Sequence, residues 1–395
     1  MSTRATIEGA GTERHVASAS MQPASRRWPP LALICHFPPP PGGMPGLAEF
    51  LAKSLESEQA SVFRLRTNLG SSWLAQRLDA VRGVRSFLRL VVFLVRLAVT
   101  LPRVELLHVL SHSGLGFFLF TVPVVLAGRA SGRRVIVNYH GGMAAEFFDR
   151  WPRVTQFVLR RAEAIVVPSG YLEQVFSQRG LDAHVVPNVC DLEPFRGTVD
   201  RPRRPEFVCA RHLEPIYNNA CVVRAFARIL RRHPQARLYL LGGGPDAPAI
   251  AKLVRELGLE QAVELPGYVN RDDVVAYYRR ASFLLNGSNV DNAPMAILEA
   301  FAAGLPVIST AAGGIPHLVR DGETGFIIPL DDDRAMAERA ERLLADPSLA
   351  RAMAERASEQ VAEYEWSHLA ADWHAIYVGR QPAGGASREE ERAEA

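Results

Sequence analysis

The sequence predicts an α/β fold with two Rossmann-like, doubly wound domains. Its 395 residues exceed a usual single domain, and its 48% apolar content is enough for substantial cores. Two successive series of short apolar runs, each run followed by a helical pattern, predict parallel sheets with helices on both faces. The first series comprises 31–37, 61–65, 105–111, 134–140, 164–169 and 184–188, and the second comprises 206–211, 236–242, 262–267, 282–288, 305–310 and 324–329.

Polar and proline-rich segments suggest where the domains begin and end. Residues 1–28 are rich in Ser, Ala and Arg and lack an apolar stretch, which favours a disordered leader over a signal peptide. An Arg/Pro segment at 201–205 is the natural linker between domains at 29–200 and 201–365. The polar tail 381–395 is predicted to be disordered.

The net charge and the spacing of the cysteines exclude some functions and some kinds of site. A net charge of +3 is too small to indicate nucleic-acid binding, so no nucleic-acid partner is predicted. The cysteines are scattered and form neither a disulfide framework nor a zinc-ligand pattern, so a reducing, cytoplasmic setting without a metal is expected. They are Cys35, Cys190, Cys209 and Cys221.

The first domain contains a predicted helix at 81–101 that is apolar but carries four arginines. At 100° per residue Arg82, Arg85, Arg89 and Arg96 fall within about 60° of one another and form one stripe. The arginines interrupt the run before it could span a bilayer. Two interpretations remain: a basic amphipathic helix on an anionic membrane surface, or a packed helix whose arginine face meets water.

The most informative stretch, residues 291–308, places two carboxylates across the start of a helix. Asp291 and Glu299 lie eight positions apart, and Pro294 is suited to a first helical turn with Asn292 as its cap. A short apolar strand, 305–310, follows the helix. Free N–H groups and the positive dipole end of such a helix suit a phosphate, and the carboxylates can accept hydrogen bonds from sugar hydroxyls. The pattern therefore predicts a cradle for a nucleotide-sugar.

With the Gly-Gly turn at 313–316 and the segment 321–326, this stretch resembles the family 4 retaining glycosyltransferases. Their pattern is Glu-x7-Glu, a Gly-x-Pro-Val strand and a Gly-Gly turn; here the first acid is Asp291. The resemblance covers roughly residues 31–377. It implies the GT-B fold, in which two Rossmann-like domains face each other across a cleft, with residues 366–380 as a helix that crosses back to the first domain.

The resemblance also implies a chemistry. Such enzymes move a sugar from a nucleotide-diphosphate donor to a hydroxyl acceptor, here a glycan or lipid-linked glycan, with retention of the anomeric configuration. They need no metal and no cofactor, because the nucleotide-sugar is a co-substrate. Their acceptors are often at the inner face of the cell membrane, which gives the arginine stripe a candidate role.

Two candidate site elements follow strands of the first domain. Gly42 and Gly43 come after the first strand, where glycines let the backbone approach a diphosphate; relatives place a Gly-Gly pair there, between donor and acceptor. His140 ends the fourth strand. It resembles the family's strand-end His-Gly, which faces the donor sugar and supports acceptor binding or the developing charge, although a structural role is the alternative.

In the second domain, Arg211 matches the arginine with which relatives neutralise the donor diphosphate and stabilise the leaving group. Relatives have a lysine about six residues later. This chain has Tyr217, or Asn218 if the loop shifts by one, and a tyrosine hydroxyl gives only a neutral hydrogen bond. Gly267 and Tyr268 fit the loop where relatives hold the nucleobase through backbone groups.

The same resemblance assigns the remaining donor contacts. Glu299 would accept hydrogen bonds from the ribose. Asp291 would hold the sugar hydroxyls together with the backbone N–H groups of Asn292, Ala293, Met295 and Ala296, Pro294 being excluded. Three acids at 331–333 could suggest an Asp-x-Asp metal site, but acids at a helix start are better explained as a cap.

Two rival functions remain. A nucleotide-sugar epimerase could use the same fold. A catalytically degenerate nucleotide-sugar-binding partner is suggested by Tyr217 and Asp291, where relatives have lysine and glutamate. The donor sugar, base, acceptor and pathway are not encoded in these patterns.

Overall fold

The structure, a computed structural model, describes residues 26–38, 42–68, 84–197 and 204–382. Within these ranges the chain forms two six-stranded parallel sheets with helices around them, so the predicted α/β class is confirmed. Each of the twelve apolar runs that were predicted as strands contains a strand.

The first sheet has the order β2-β1-β3-β4-β5-β6. Its strands are β1 Leu31–Cys35, β2 Val62–Arg66, β3 Leu106–Ser111, β4 Arg134–Tyr139, β5 Ala164–Val167 and β6 His184–Val185. The helices that connect them are α1 Gly43–Ser57, α2 Val84–Thr100, α3 Val122–Ala130, α4 Ala144–Arg150, α5 Pro152–Leu159 and α6 Gly170–Ser177, with a π-helical turn at Phe117–Thr121 before α3.

The second sheet has the order β12-β11-β10-β7-β8-β9. Its strands are β7 Glu206–Ala210, β8 Arg237–Leu241, β9 Val263–Gly267, β10 Phe283–Asn286, β11 Val307–Thr310 and β12 Gly325–Ile328. Its helices are α7 Asn219–Arg232, α8 Ala247–Glu256, α9 Arg271–Arg280, α10 Met295–Ala302, α11 Ile315–Leu318, α12 Asp333–Ala345 and α13 Pro347–Gln360, and α14 Trp366–Tyr377 is the last helix of the described residues.

The inner strands are mostly apolar because helices cover both faces of each sheet. In β1 every residue is buried: Leu31 and Leu33 pack into the cluster that contains α1 and α14, whereas Ala32 and Ile34 pack into the cluster of α2 to α6. Several predicted strands ran too far at their carboxyl ends. Beyond β5, for example, Ser169 leaves the sheet and its hydroxyl caps α6.

The chain crosses between the two halves at two places. Phe195 and Leu192 already pack with the second sheet's core, ahead of the predicted boundary at residue 200. After Tyr364, which packs in that same core, α14 returns to the first sheet, where Trp373 lies in the cluster of β1. Trp366 supports this return, because its Nε1 donates to Glu58 at 3.0 Å.

A buried histidine joins α14 to the first sheet. His108 on β3 lies 2.7 Å from the Tyr377 hydroxyl through its Nδ1, and its ring packs against Trp373. Burial lowers the pKa of His108 to about 3, with a smaller contribution from the charge of His140. The folded protein therefore holds this imidazole neutral at every pH near neutrality.

We expect this histidine to make the fold acid-sensitive. An unfolded histidine titrates near pH 6.5, so below that pH the unfolded chain binds a proton that the folded chain does not. The free energy of unfolding should fall as the pH drops from about 6.5 towards 3, by up to about 1.4 kcal/mol per pH unit. Denaturant titrations at several pH values should show a shallower slope for His108→Gln. The exposed His368→Gln is the control, and equal slopes for both variants would contradict the account.

The arginine side of α2 does not meet solvent as one stripe. Arg82 lies outside the described residues, as does the side chain of Arg85. Arg96 donates from Nη1 to the carbonyl oxygens of Arg66 and Asn68, at 3.2 and 3.0 Å, and Arg89 is half-buried. The prediction of a solvated arginine face is therefore wrong for Arg96, since a long arginine stem can reach back to carbonyls beyond the end of β2.

The solvent-facing side of α2 is instead apolar, and Phe87 is 70% exposed. Among the residues that the structure describes, no helix combines the length and hydropathy needed to cross a membrane.

Candidate functional site

A cavity of about 970 Å³ lies between the carboxyl ends of the two sheets. This is where ligands bind in open parallel α/β folds, and the volume suits a small organic ligand. Most of the residues that the sequence singled out line it: Gly42, Gly43, His140, Arg211, Tyr217, Tyr268, Asp291, Asn292, Ala293, Met295 and Glu299. The fold thus brings together candidates from both halves of the chain.

At the centre of the cavity Arg211 and Asp291 form an ion pair between Nη2 and Oδ2. Each side chain is only 12% exposed. Burial raises the pKa of Asp291, and the neighbouring guanidinium opposes that rise. The second carboxylate oxygen accepts from the Asn292 backbone N–H at 3.0 Å. The sequence indicated both residues, but not that they would be partners.

Tyr217 completes this cluster through its ring. The Arg211 guanidinium carbon lies 4.2 Å from the ring centroid, a cation–π distance. Burial raises the pKa of the Tyr217 phenol, so the hydroxyl stays protonated and can donate a hydrogen bond. Tyr217 therefore both orients the guanidinium and offers a neutral donor at the position where relatives have a lysine.

We expect Tyr217→Lys to bind a nucleoside diphosphate about fivefold more tightly, because a charge-assisted hydrogen bond exceeds a neutral one by about 1 kcal/mol. Isothermal titration calorimetry measures this directly. Tyr217→Phe is the matched control, since it keeps the ring over Arg211 and removes only the hydroxyl. A Tyr217→Lys protein that folds but binds no nucleotide would show that this loop does not face the diphosphate.

Asn292 links the two halves and does not cap the helix. Helix α10 begins at Met295, and Pro294 precedes it in an extended conformation without a side-chain cap. The Asn292 amide instead donates from Nδ2 to the carbonyl of His140, at 2.9 Å. The predicted cap is therefore wrong, because a tertiary contact across the cleft takes the side chain.

Three buried polar atoms at this cavity have no hydrogen-bond partner within the described residues: His140 Nε2, Arg211 Nε and Asn292 Oδ1. Buried polar atoms are nearly always bonded in native proteins. All three belong to side chains that line the cavity, and they come from both sides of it. This arrangement is typical of a binding site for a polar ligand.

His140 enters this site as a neutral group. Burial lowers its pKa to about 3, and the nearby His112 adds to the effect. His140 as a residue is half-buried and lines the cavity. A neutral imidazole can donate or accept one hydrogen bond through Nε2, but it supplies no positive charge at ordinary pH.

Glu299 lies one turn into α10, on the same side of the cavity. The Tyr278 hydroxyl is 3.1 Å from its Oε2. Burial raises the pKa of Glu299, and the charge of Arg271 opposes this rise. Arg271 also lines the cavity, at the start of α9, where it pairs with Asp191 at 3.4 Å. Sequence reasoning missed Arg271, although its place just after the cap residue of a helix that follows a strand-end loop was a usable signal.

Glycines shape the backbone of this site. A Cβ on Gly313 would lie 2.1 Å from the Asp291 carbonyl oxygen, and one on Gly314 would lie 2.0 Å from that of Asn292. The Gly-Gly turn therefore packs directly against the segment that carries Asp291. Gly267, by contrast, does not line the cavity: it has φ +76°, and its carbonyl accepts from Gly242 at 2.9 Å.

The three acids at 331–333 serve structural roles, as the sequence favoured. Asp332 caps α12 by accepting from the Ala335 N–H at 2.8 Å. Asp331 and Asp333 pair with arginines of α7. Within the described part of the chain no group of three His, Cys, Asp or Glu side chains could hold a metal ion.

Comparisons with known proteins indicate a family for the chain. Residues 195–360 match the glycosyl transferases group 1 family. The chain is 35% identical over 157 residues to the N-acetyl-alpha-D-glucosaminyl L-malate synthase of Bacillus anthracis, a match that covers 40% of each chain. It is 30% identical over 286 residues to the GDP-mannose-dependent alpha-(1-6)-phosphatidylinositol monomannoside mannosyltransferase of Mycolicibacterium smegmatis, covering 65% of this chain and 73% of the relative.

A solved structure extends the likeness to most of the fold. Sucrose-phosphate synthase from Thermosynechococcus elongatus superposes with a TM-score of 0.74 at 20% identity, covering 89% of this chain and 98% of the synthase. At that identity the likeness concerns the fold alone, and the predicted GT-B architecture is confirmed.

Proposed function

The chain belongs to the glycosyl transferases group 1 family, and on that premise we propose that it transfers a sugar from a nucleotide-diphosphate donor to a hydroxyl acceptor with retention of configuration. The observation that carries this proposal is the set of unpartnered polar atoms around one cavity, described above. Donor and acceptor must meet between the two halves, and groups from both halves face that space.

We propose two kinds of donor contact: one set binds the charged diphosphate, and the other binds the hydroxyl groups of the sugar and the ribose. Arg211 exchanges its bond to Asp291 for one to the diphosphate, assisted by the Tyr217 hydroxyl. Asp291 and the backbone N–H groups at the start of α10 then hold the sugar hydroxyls, and Glu299 accepts from the ribose. The contacts of Arg211 with Asp291 and with the Tyr217 ring support this division, because one guanidinium can serve the acid and the phosphate in turn.

For the chemical step we propose displacement without a covalent enzyme intermediate. The bond from the anomeric carbon to the diphosphate oxygen breaks, a bond to the acceptor oxygen forms on the same face, and the acceptor proton passes to the leaving phosphate. Arg211 stabilises the charge that develops on the diphosphate. His140, being neutral, positions the sugar or acceptor through one hydrogen bond.

We further propose a glycan or lipid-linked glycan as the acceptor. The first-domain side of the cavity mixes apolar and charged groups, with Phe50, Met143 and Lys53 among them, which suits a sugar with an apolar attachment. We place the reaction in the cytoplasm, because the four cysteines are free, buried thiols.

A nucleotide-sugar panel tests the function. The first measurement is thermal stabilisation, since a ligand at 100 times its dissociation constant stabilises by about 2.7 kcal/mol. The second is release of nucleoside diphosphate with and without acceptor glycans, together with the configuration of the product. Sugar isomerisation without an acceptor would indicate an epimerase. Tight binding without turnover would indicate the degenerate binding partner that Tyr217 and Asp291 bring into question.

Transfer should also persist in the presence of a chelator, because the site supplies its own cation in Arg211 and two of the 331–333 acids are held by arginines. Rates measured before and after EDTA dialysis check this. Loss of activity that magnesium or manganese restores would reopen the metal interpretation of residues 331–333.

A further inference from the structure

Large apolar side chains are exposed on one part of the surface. Of the fifteen that are exposed among the described residues, eleven lie between residues 87 and 157. Single exposed apolar residues are ordinary, whereas a concentration of this kind marks an interaction surface. We call ten of the eleven the apolar surface: Phe87, Val91, Leu94, Val95, Val99, Leu115, Leu126, Trp151, Val154 and Phe157.

The helices that carry the apolar surface lie side by side. Phe93 of α2 makes an edge contact with Phe120, whose ring centroid is 5.1 Å away. Phe118, from the same turn before α3, makes a similar contact with Trp151 at 5.4 Å. All of these helices contribute to the core cluster on one face of the first sheet. Their outer sides therefore form one continuous helical layer over that face.

Apart from its arginine side, helix α2 is apolar both towards the sheet and on the opposite, outer side, which is unusual for a helix at the surface. Phe93 and Leu97 are buried against the sheet. Phe87, Val91 and Val95, at helical spacing, face away from it. An apolar outer side of a surface helix is normally covered by protein or by lipid.

The net charge of this segment indicates which kind of partner covers the apolar surface. Residues 84–161 contain eleven arginines and three acids, a net charge of +8, although the whole chain carries only +3. Arg103, Arg129, Arg153 and Arg160 are exposed within this segment. A second copy of the chain would present the same positive charge and be repelled. An anionic bilayer offers both negative headgroups and an apolar interior.

We propose that the apolar surface docks on an anionic lipid bilayer and lies at its interface. This differs from a purely electrostatic arginine stripe, because here apolar side chains enter the membrane and arginines flank them. Met143, which lines the cavity and is 49% exposed, is joined to Trp151 by the seven-residue α4. That helix spans about 10 Å, so docking would bring the cavity rim close to the lipid headgroups.

Co-sedimentation with vesicles tests the proposal independently of sugar transfer. The wild-type protein should bind vesicles of equal phosphatidylglycerol and phosphatidylcholine. It should bind pure phosphatidylcholine more weakly. The double variant F87S/V95N should bind the anionic vesicles about tenfold less, because two apolar anchors are lost from the interface. The matched control, L257N/L330N, changes two exposed apolar residues of the second half and should bind as the wild type does.

Further measurements distinguish membrane docking from purely electrostatic binding, from a general loss of function and from dimerisation. R129Q/R153Q should reduce the salt dependence of binding while leaving a salt-resistant part. Thermal melts and nucleotide binding of F87S/V95N should match the wild type, which distinguishes failure of docking from failure of the proposed function. Absence of vesicle binding, or equal loss in L257N/L330N, overturns the proposal. A dimer in sedimentation equilibrium that F87S/V95N dissociates also overturns it, because the surface would then belong to a second copy.

Discussion

Replacing Arg211 with alanine should reduce kcat by roughly 100- to 1,000-fold, the loss seen when one preorganised charge-stabilising group is removed from an active site. Arg211 is the guanidinium that the structure places against Asp291 and Tyr217 at the centre of the cavity. Without it, the charge on the leaving diphosphate would meet only neutral groups at this position. Steady-state kinetics with the donor found in the nucleotide-sugar panel would measure the effect.

Controls separate a lost catalytic charge from a damaged fold. Removing Arg211 leaves the Asp291 carboxylate buried and unpaired, which lowers the free energy of unfolding by about 3–5 kcal/mol. The double variant R211A/D291N removes both charges and should regain stability without regaining activity. Arg228→Ala, on the exposed face of α7, should leave kcat unchanged. A stable Arg211→Ala enzyme with wild-type kcat would refute the assignment.

Replacing Glu299 with glutamine should weaken nucleoside diphosphate binding by about 1.5–3 kcal/mol, a tenfold to hundredfold rise in Kd. The amide has the same shape and can still accept from Tyr278, so the fold should be preserved. Only the charge that we propose for ribose recognition is lost. Calorimetry with the diphosphate would measure this.

Two comparisons make the Glu299 result specific. Glu338→Gln, an exposed acid of α12, should bind the nucleotide as the wild type does. In the wild type, affinity should fall as the pH drops, because burial raises the pKa of Glu299 and favours its neutral form. An unchanged affinity in Glu299→Gln would remove this residue from the donor site.

The sequence predicted the fold well because a parallel strand with both faces buried is a continuous apolar run, as in β1. The carboxyl ends of the strands were predicted less accurately, because contacts with the following element decide where a strand stops. Ser169, for example, leaves β5 and caps α6. Asp291 was a candidate because of its local pattern, and Arg211 because of the family resemblance. Their pairing did not follow from either, because eighty residues separate them and only the folded sheet brings them together.

Two predictions were wrong because a tertiary contact replaced the local contact that the sequence pattern favoured. Asn292 had the composition and position of a helix cap, but the His140 carbonyl across the cleft takes its amide. The arginines of α2 have the spacing of one helix side, yet periodicity does not say which side of a helix meets the sheet. Arg96 shows the consequence, because its guanidinium reaches backbone carbonyls next to β2.

The return of α14 to the first sheet has a consequence for biosynthesis. His108 and Tyr377, which meet in the finished protein, are 269 residues apart in the chain. At 5–20 residues per second, a ribosome needs roughly 15–50 s to make that interval. During this time the face of β1 that carries Leu31 and Leu33 has no α14 to cover it. The amino-terminal half is therefore made first but completed last, and that face of the nascent chain stays open to aggregation and chaperone capture until α14 emerges.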